Sequence, residues 1–200
     1  MKVDLIIKNA SQLITLQGPA LARTGREMEE LGIIENGAVA VQNGRIAAVG
    51  GSSSILQNFK TEDIFDAAGK VVMPGFVDPH THPVFFNTRE NEFEMRLQGK
   101  TYVEISQSGG GIRSSIDGVR NASEDELFEL SRKRIEKIIS NGTTTLEAKS
   151  GYGLSTESEI KMLKVIQRLQ EALPIDIVPT FMGAHEFPTE YKDNREEYIR

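Results

Sequence analysis

Residues 3 to 8 and 11 to 17 are short apolar runs bounded by polar residues and read as strands. Ala38 to Val49 is apolar on both sides of Asn43-Gly44, a dipeptide suited to the two positive φ angles of a type I′ turn, so a β-hairpin is predicted there. Between these segments, Gly18 to Gly37 lacks β-alternation and carries Arg23, Arg26, Glu27, Glu29 and Glu30; it reads as an exposed, solvated connection with a helical turn. From Val71 the order changes to strand, loop, helix. Ser123-Glu-Asp-Glu126 is a capping box opening a helix that places Leu127, Leu130, Ile135 and Ile138 near one face, with Gly142 positioned to end it. A short strand is predicted over 144–148. Thr156-Glu-Ser-Glu159 reads as a second capping box, and its helix carries Met162, Val165, Ile166, Leu169 and Leu173 on the apolar side before Pro174 stops it. Ile175 to Phe181 is the next strand, and Tyr191 to Arg200 reads as the start of an amphipathic helix with no stop signal after it.

Strands alternating with amphipathic helices argue for parallel βαβ units, so the fold class is α/β. The predicted division is a small β domain over residues 1–73 and a βα-repeating domain over 74–200. With 38% hydrophobic residues in 200, the chain can bury a core. A formal net charge of −6 without a long basic run argues against nucleic acid or an anionic membrane surface as partner and favours a small molecule. Cysteine is absent, which excludes disulfides, thiolate nucleophiles and thiolate-bound zinc. The apolar run at the N-terminus is broken by Asp4 and ended by Lys8, too short for a signal segment or a membrane span, and the expected location is the cytoplasm.

The chemistry concentrates at the end of the strand that starts at Val71. Side chains alternate faces along a strand, so His80 and His82 point the same way, a ready pair of imidazole ligands for zinc or iron. By itself a His-x-His also fits two strand-end histidines that meet solvent. Arg89 is either a surface arginine or a planar fork that holds a carboxylate bidentately. Tyr152 stands between Gly151 and Gly153 directly after a strand, packed over a turn or presented to a ligand. His185 follows Gly183-Ala184 beyond the next strand, either structural or a hydrogen-bonding and proton-transferring group. Ser108-Gly-Gly-Gly-Ile112 is a flexible loop or an anion nest.

The run Asp66-Ala-Ala-Gly-Lys-Val-Val-Met-Pro-Gly-Phe-Val-Asp-Pro-His-Thr-His82 resembles the lead into the first barrel strand of the amidohydrolase superfamily. Arg89 to Tyr102, Ser108 to Ile112, Gly142 to Gly153 and Pro179 to His185 narrow the resemblance to its imidazolonepropionase family. That resemblance implies a (β/α)8 barrel preceded by a small β-sandwich-like domain that is completed by strands from further along the chain. It implies one divalent metal, Zn or Fe, with His80 and His82 among its ligands. It also implies substrate contacts from Arg89, Tyr152, His185 and, more weakly, Tyr102, with His185 the candidate catalytic group and Lys149 structural or electrostatic. The implied reaction opens a cyclic amide in histidine degradation, in an enzyme expected to be a homodimer. Another cyclic amidase or an aminohydrolase, or a non-catalytic structural module, are the competing readings. A (β/α)8 barrel takes about 250 residues, so the expectation is an N-terminal portion of a longer protein, inactive alone.

Overall fold

The computed structural model describes residues 1–199; Arg200, the last residue of the predicted terminal helix, lies outside them. The chain forms two compact units, Met1–Pro74 and the residues from Gly75 onward.

The first unit is built on a five-stranded sheet of β1 (Leu5–Ile14), β2 (Ile33–Gln42), β3 (Arg45–Gly51), β4 (Ile64–Asp66) and β5 (Val71–Val72). The order is β3-β2-β1-β4, with β5 also pairing β1; the first two contacts are antiparallel, and β4 and β5 run parallel to β1. The predicted hairpin is β2–β3, and Asn43 and Gly44 take φ values of 52° and 68°, as the type I′ turn requires. The two strands expected at 3–8 and 11–17 are instead one strand with a bulge. Between the Ile7–Val39 and Ala10–Gly37 pairs β1 advances three residues and β2 two, and Asn9 absorbs the surplus at φ 58°. The expected loop up to Gly37 is shorter than predicted, because Ile33 and Ile34 find partners in Ile14 and Leu13. Its helical turn is a 3-10 segment at Gly25–Glu29. An unpredicted helix, α1 (Ser52–Asn58), buries Ile55 with Val3, Ile6, Ala38 and Ala40.

The second unit holds a parallel sheet in the order β6 (Phe76–Thr81), β7 (Thr143–Lys149) and β8 (Asp176–Thr180). Four helices, α2 (Glu90–Leu97), α3 (Tyr102–Gln107), α4 (Ile112–Asn121) and α5 (Glu124–Ser140), lie between β6 and β7, and α6 (Thr156–Ala172) joins β7 to β8. The core forms where α5 and α6 pack on the sheet. Leu127 and Ile135, Leu146 and Ala148, Met162, Val165, Ile166 and Leu169, with Ile177, are all buried there. A 3-10 turn at Thr189–Tyr191 and α7 (Arg195–Ile199) follow β8, so the predicted terminal helix starts four residues late.

The Ser123 capping box is present: Ser123 accepts from the Glu126 amide, and the Glu126 carboxylate accepts from the Ser123 amide. The second is corrected. Ser155, not Thr156, caps α6 by accepting from the Ser158 amide, and Glu159 turns inward. Among the described residues no helix is long and apolar enough to cross a membrane.

Candidate functional site

In a parallel sheet the side chains that can meet one ligand lie at the C-terminal ends of the strands. His80 is the penultimate residue of β6 and His82 follows that strand directly. Tyr152 lies in the loop after β7, and His185 lies five residues past the end of β8.

His82 is the hub of this cluster. Its ring centroid is 5.8 Å from that of His80, 5.9 Å from that of His185, and 5.0 Å from that of Tyr152, which stacks on it at 29°. Burial holds the His82 pKa below the ordinary imidazole range, and electrostatic repulsion from His185, His80 and Lys149 pushes it the same way, against an opposing backbone bond at Ser150. Its Nδ1 is buried without a hydrogen-bond partner. A neutral imidazole with a free ring nitrogen, beside a second imidazole on the same strand end, is the form that binds a divalent metal. His80 and His82 therefore fit such an ion. Among the described residues no group of three or more His, Asp or Glu stands together to hold one.

A cavity of about 350 Å³ opens beside His82 and is lined by His82, Phe85, Asn87, Thr88, Arg89, Ser115 and Tyr152. Its lining combines an imidazole, a phenol and a guanidinium, with no carboxylate among the described lining residues. Arg89 lies in the loop after β6, at the residue that immediately precedes α2. Its Nη2 donates to the buried Ser115 Oγ at 2.8 Å, and its Nε lies 3.8 Å from Glu92 Oε1. These contacts aim the fork without covering it, and the side chain remains 38% exposed.

Tyr102 stands apart: it begins α3, is 61% exposed and does not line this cavity. The Ser108–Ile112 glycines are ordered by neighbours, because Gly111 N donates to Glu92 Oε1 at 2.7 Å and Gly110 N to the Ile105 carbonyl at 3.0 Å. Lys149 donates to Glu147 Oε1, and Thr180 Oγ1 donates to the same oxygen at 2.6 Å. Those two bonds hold the Glu147 carboxyl below the usual range.

Sequence reasoning missed Ser115, which orients Arg89, and Glu159 and Arg120, which hold the loop carrying Tyr152. A glutamate on an otherwise apolar helix face was the signal available for Glu159. Gly151, at φ +104°, lets that loop close on the His185 segment, since a Cβ there would lie 3.1 Å from Met182 Cβ and 3.2 Å from His185 Cβ.

No family model matches the chain. It is 51% identical to an imidazolonepropionase of Geobacillus sp. (strain WCH70) over 98% of its own length and 47% of that protein. It is 48% identical to one from Clostridium tetani, over 99% of the chain and 48% of the relative. The chain thus spans about half the length of the curated relatives it matches. Among solved structures, E. coli guanine deaminase superposes with a TM-score of 0.62 at 17% identity, over 96% of this chain and 40% of that one. An atrazine chlorohydrolase mutant from Arthrobacter aurescens TC1, solved with zinc and atraton, gives 0.55 at 18% identity, over 88% and 35%. At such identities the likeness is one of fold alone, that of an α/β chain.

Proposed function

Across 98% of its length the chain is related in sequence to imidazolonepropionases, and from that premise we propose that the whole protein hydrolyses the cyclic amide of 4-imidazolone-5-propanoate to N-formimidoyl-L-glutamate. The observation that supports this reading is the cavity whose lining includes Arg89 together with His82 and Tyr152. An anionic tail held by Arg89 puts a small ring against the imidazole cluster, and the Arg fork matches a carboxylate bidentately. In this reading Tyr152 supplies a flat face and a hydroxyl for the ring, and His185, whose ring centroid is 5.9 Å from that of His82, takes or gives a proton. Tyr102 belongs to this proposal only as an outlying contact.

We assign His80 and His82 to one divalent metal, Zn or Fe, with its other ligands drawn from outside these 200 residues. When bound, such an ion supplies activation of water and of a carbonyl at neutral pH. The orphaned Nδ1 of His82 supports this assignment. The zinc in the chlorohydrolase structure of similar fold supports a divalent ion in general.

The same reading makes β6 to β8 the opening strands of a (β/α)8 barrel over residues 74–200. It makes residues 1–73 a β-sandwich-like domain completed by further strands. The protein would work as a cytoplasmic homodimer on a small molecule, without nucleic acid or membrane partners, and the 200-residue chain alone would be inactive. Assaying the full-length polypeptide on imidazolonepropionate, a hydantoin and guanine tests the assignment. Turnover of the first alone is expected; turnover of either other substrate in its place would transfer the protein to another amidohydrolase activity, and none at all would favour a structural module.

A further inference from the structure

We propose that Glu159 and Arg120 form a two-sided clamp that positions Tyr152 against His82. Glu159 is only 2% exposed, and its carboxylate accepts three backbone bonds of 2.8 Å, from Gly151 N at Oε2 and from Gly153 N and Leu154 N at Oε1. Arg120, on α4, takes the opposite side of the same peptides. Its Nε donates to the Gly153 carbonyl at 2.7 Å and its Nη2 to the Leu154 carbonyl at 2.9 Å. Both backbone groups of Gly153 and of Leu154 are therefore satisfied by two side chains from two different helices.

The loop needs that restraint. Leu154 is held at φ 49°, a left-handed conformation that a Cβ-bearing residue adopts only when its surroundings impose it. Gly153 leaves no room for relaxation, because a Cβ there would lie 2.7 Å from Ser158 Cβ. The residue enclosed by the clamped amides is Tyr152, the ring that stacks on His82. Arg120 also reaches the other side of the site, since its Nη1 pairs at 2.7 Å with Glu190, in the 3-10 turn that follows the His185 segment. Neither Glu159 nor Arg120 is among the residues that line the cavity; their bonds are to the loop that carries Tyr152, so they are positioning residues. Their effect on turnover rests on the proposed reading, in which Tyr152 faces the substrate.

The test uses the full-length polypeptide. Glu159→Gln keeps the shape but sets an NH2 group against a loop N–H, so one of the three bonds is lost and a donor faces a donor. Amide exchange over residues 151–154 should accelerate about tenfold, and kcat on imidazolonepropionate should fall about tenfold with KM less affected, the scale of one hydrogen bond to a charged group. In a Tyr152→Ala background the kinetic loss should vanish, because nothing remains to be positioned; a general destabilisation would add in both backgrounds. Arg120→Lys, which keeps the charge and loses the fork, should act in the same direction and serves if Glu159→Gln does not fold. Unchanged exchange, or an equal kinetic loss with and without Tyr152, would overturn the clamp. If the wild-type polypeptide does not consume imidazolonepropionate, the functional reading falls and the exchange measurement alone decides the clamp.

Discussion

A buried imidazole nitrogen without a partner costs free energy that a ligand can return, which makes His82 Nδ1 the most exacting single atom of the site. His82→Ala or His80→Ala in the full-length polypeptide should remove stoichiometric metal and nearly all turnover, read by metal analysis after desalting together with an assay. Full occupancy with intact activity would place the metal elsewhere. Arg89 makes a different kind of contribution. Its fork is oriented by Ser115 and only loosely neutralised by Glu92. Arg89→Ala should therefore raise KM by about ten- to a hundredfold with a smaller change in kcat, the range of charge-assisted hydrogen bonds, and Arg89→Lys should recover little because a point charge lacks the planar geometry. An unchanged KM would remove Arg89 from the substrate.

Helix α5 is held at its start by the reciprocal bonds of Ser123 and Glu126. Ser123→Ala should cost about 1 kcal/mol of unfolding free energy at neutral pH, measured by denaturant titration. The Glu126 carboxyl is held below its ordinary pKa by the backbone and side-chain bonds to Ser123. A carboxylate with a depressed folded-state pKa stabilises fully above its unfolded pKa, here 4.5, and that stabilisation is lost as pH falls through the folded value. The backbone bond from residue 123 to Glu126 survives in Ser123→Ala, so the part of the penalty that comes from the Ser123 Oγ–Glu126 bond should shrink as pH is lowered from 4.5, and a penalty constant with pH would mean that this side-chain bond contributes nothing. The second capping box shows the limit of a four-residue motif. The same Ser/Thr-x-x-Glu pattern occurs at 156–159, yet Glu159 has three amides of the preceding loop to satisfy and leaves the cap to Ser155.

The parallel sheet of the second unit ends in β6 and β8, each with one strand neighbour among the described residues, and Phe76, Val77, Val178 and Phe181 are more than half exposed. An open parallel edge beside exposed apolar side chains invites association. The isolated 200-residue chain should therefore elute as self-associated species in size-exclusion chromatography, bind zinc only weakly and consume no imidazolonepropionate. A monomer with tightly bound metal and turnover would require the whole site to lie within these residues. What the sequence determined alone is what depends on neighbours along the chain: the Asn43-Gly44 hairpin, the Ser123 cap, the helical period from Met162 to Leu169, and the strand that delivers His80 and His82 together. The tertiary structure alone decided which distant groups meet. It turned Glu159 from a cap into a loop clamp, set Ser115 behind Arg89, left Tyr102 outside the cavity, and merged two predicted strands across the Asn9 bulge. The reason is physical: period and capping are set by backbone geometry within a few residues, whereas a buried polar atom takes whichever partner the fold brings within about 3 Å, and sequence spacing carries no record of that choice.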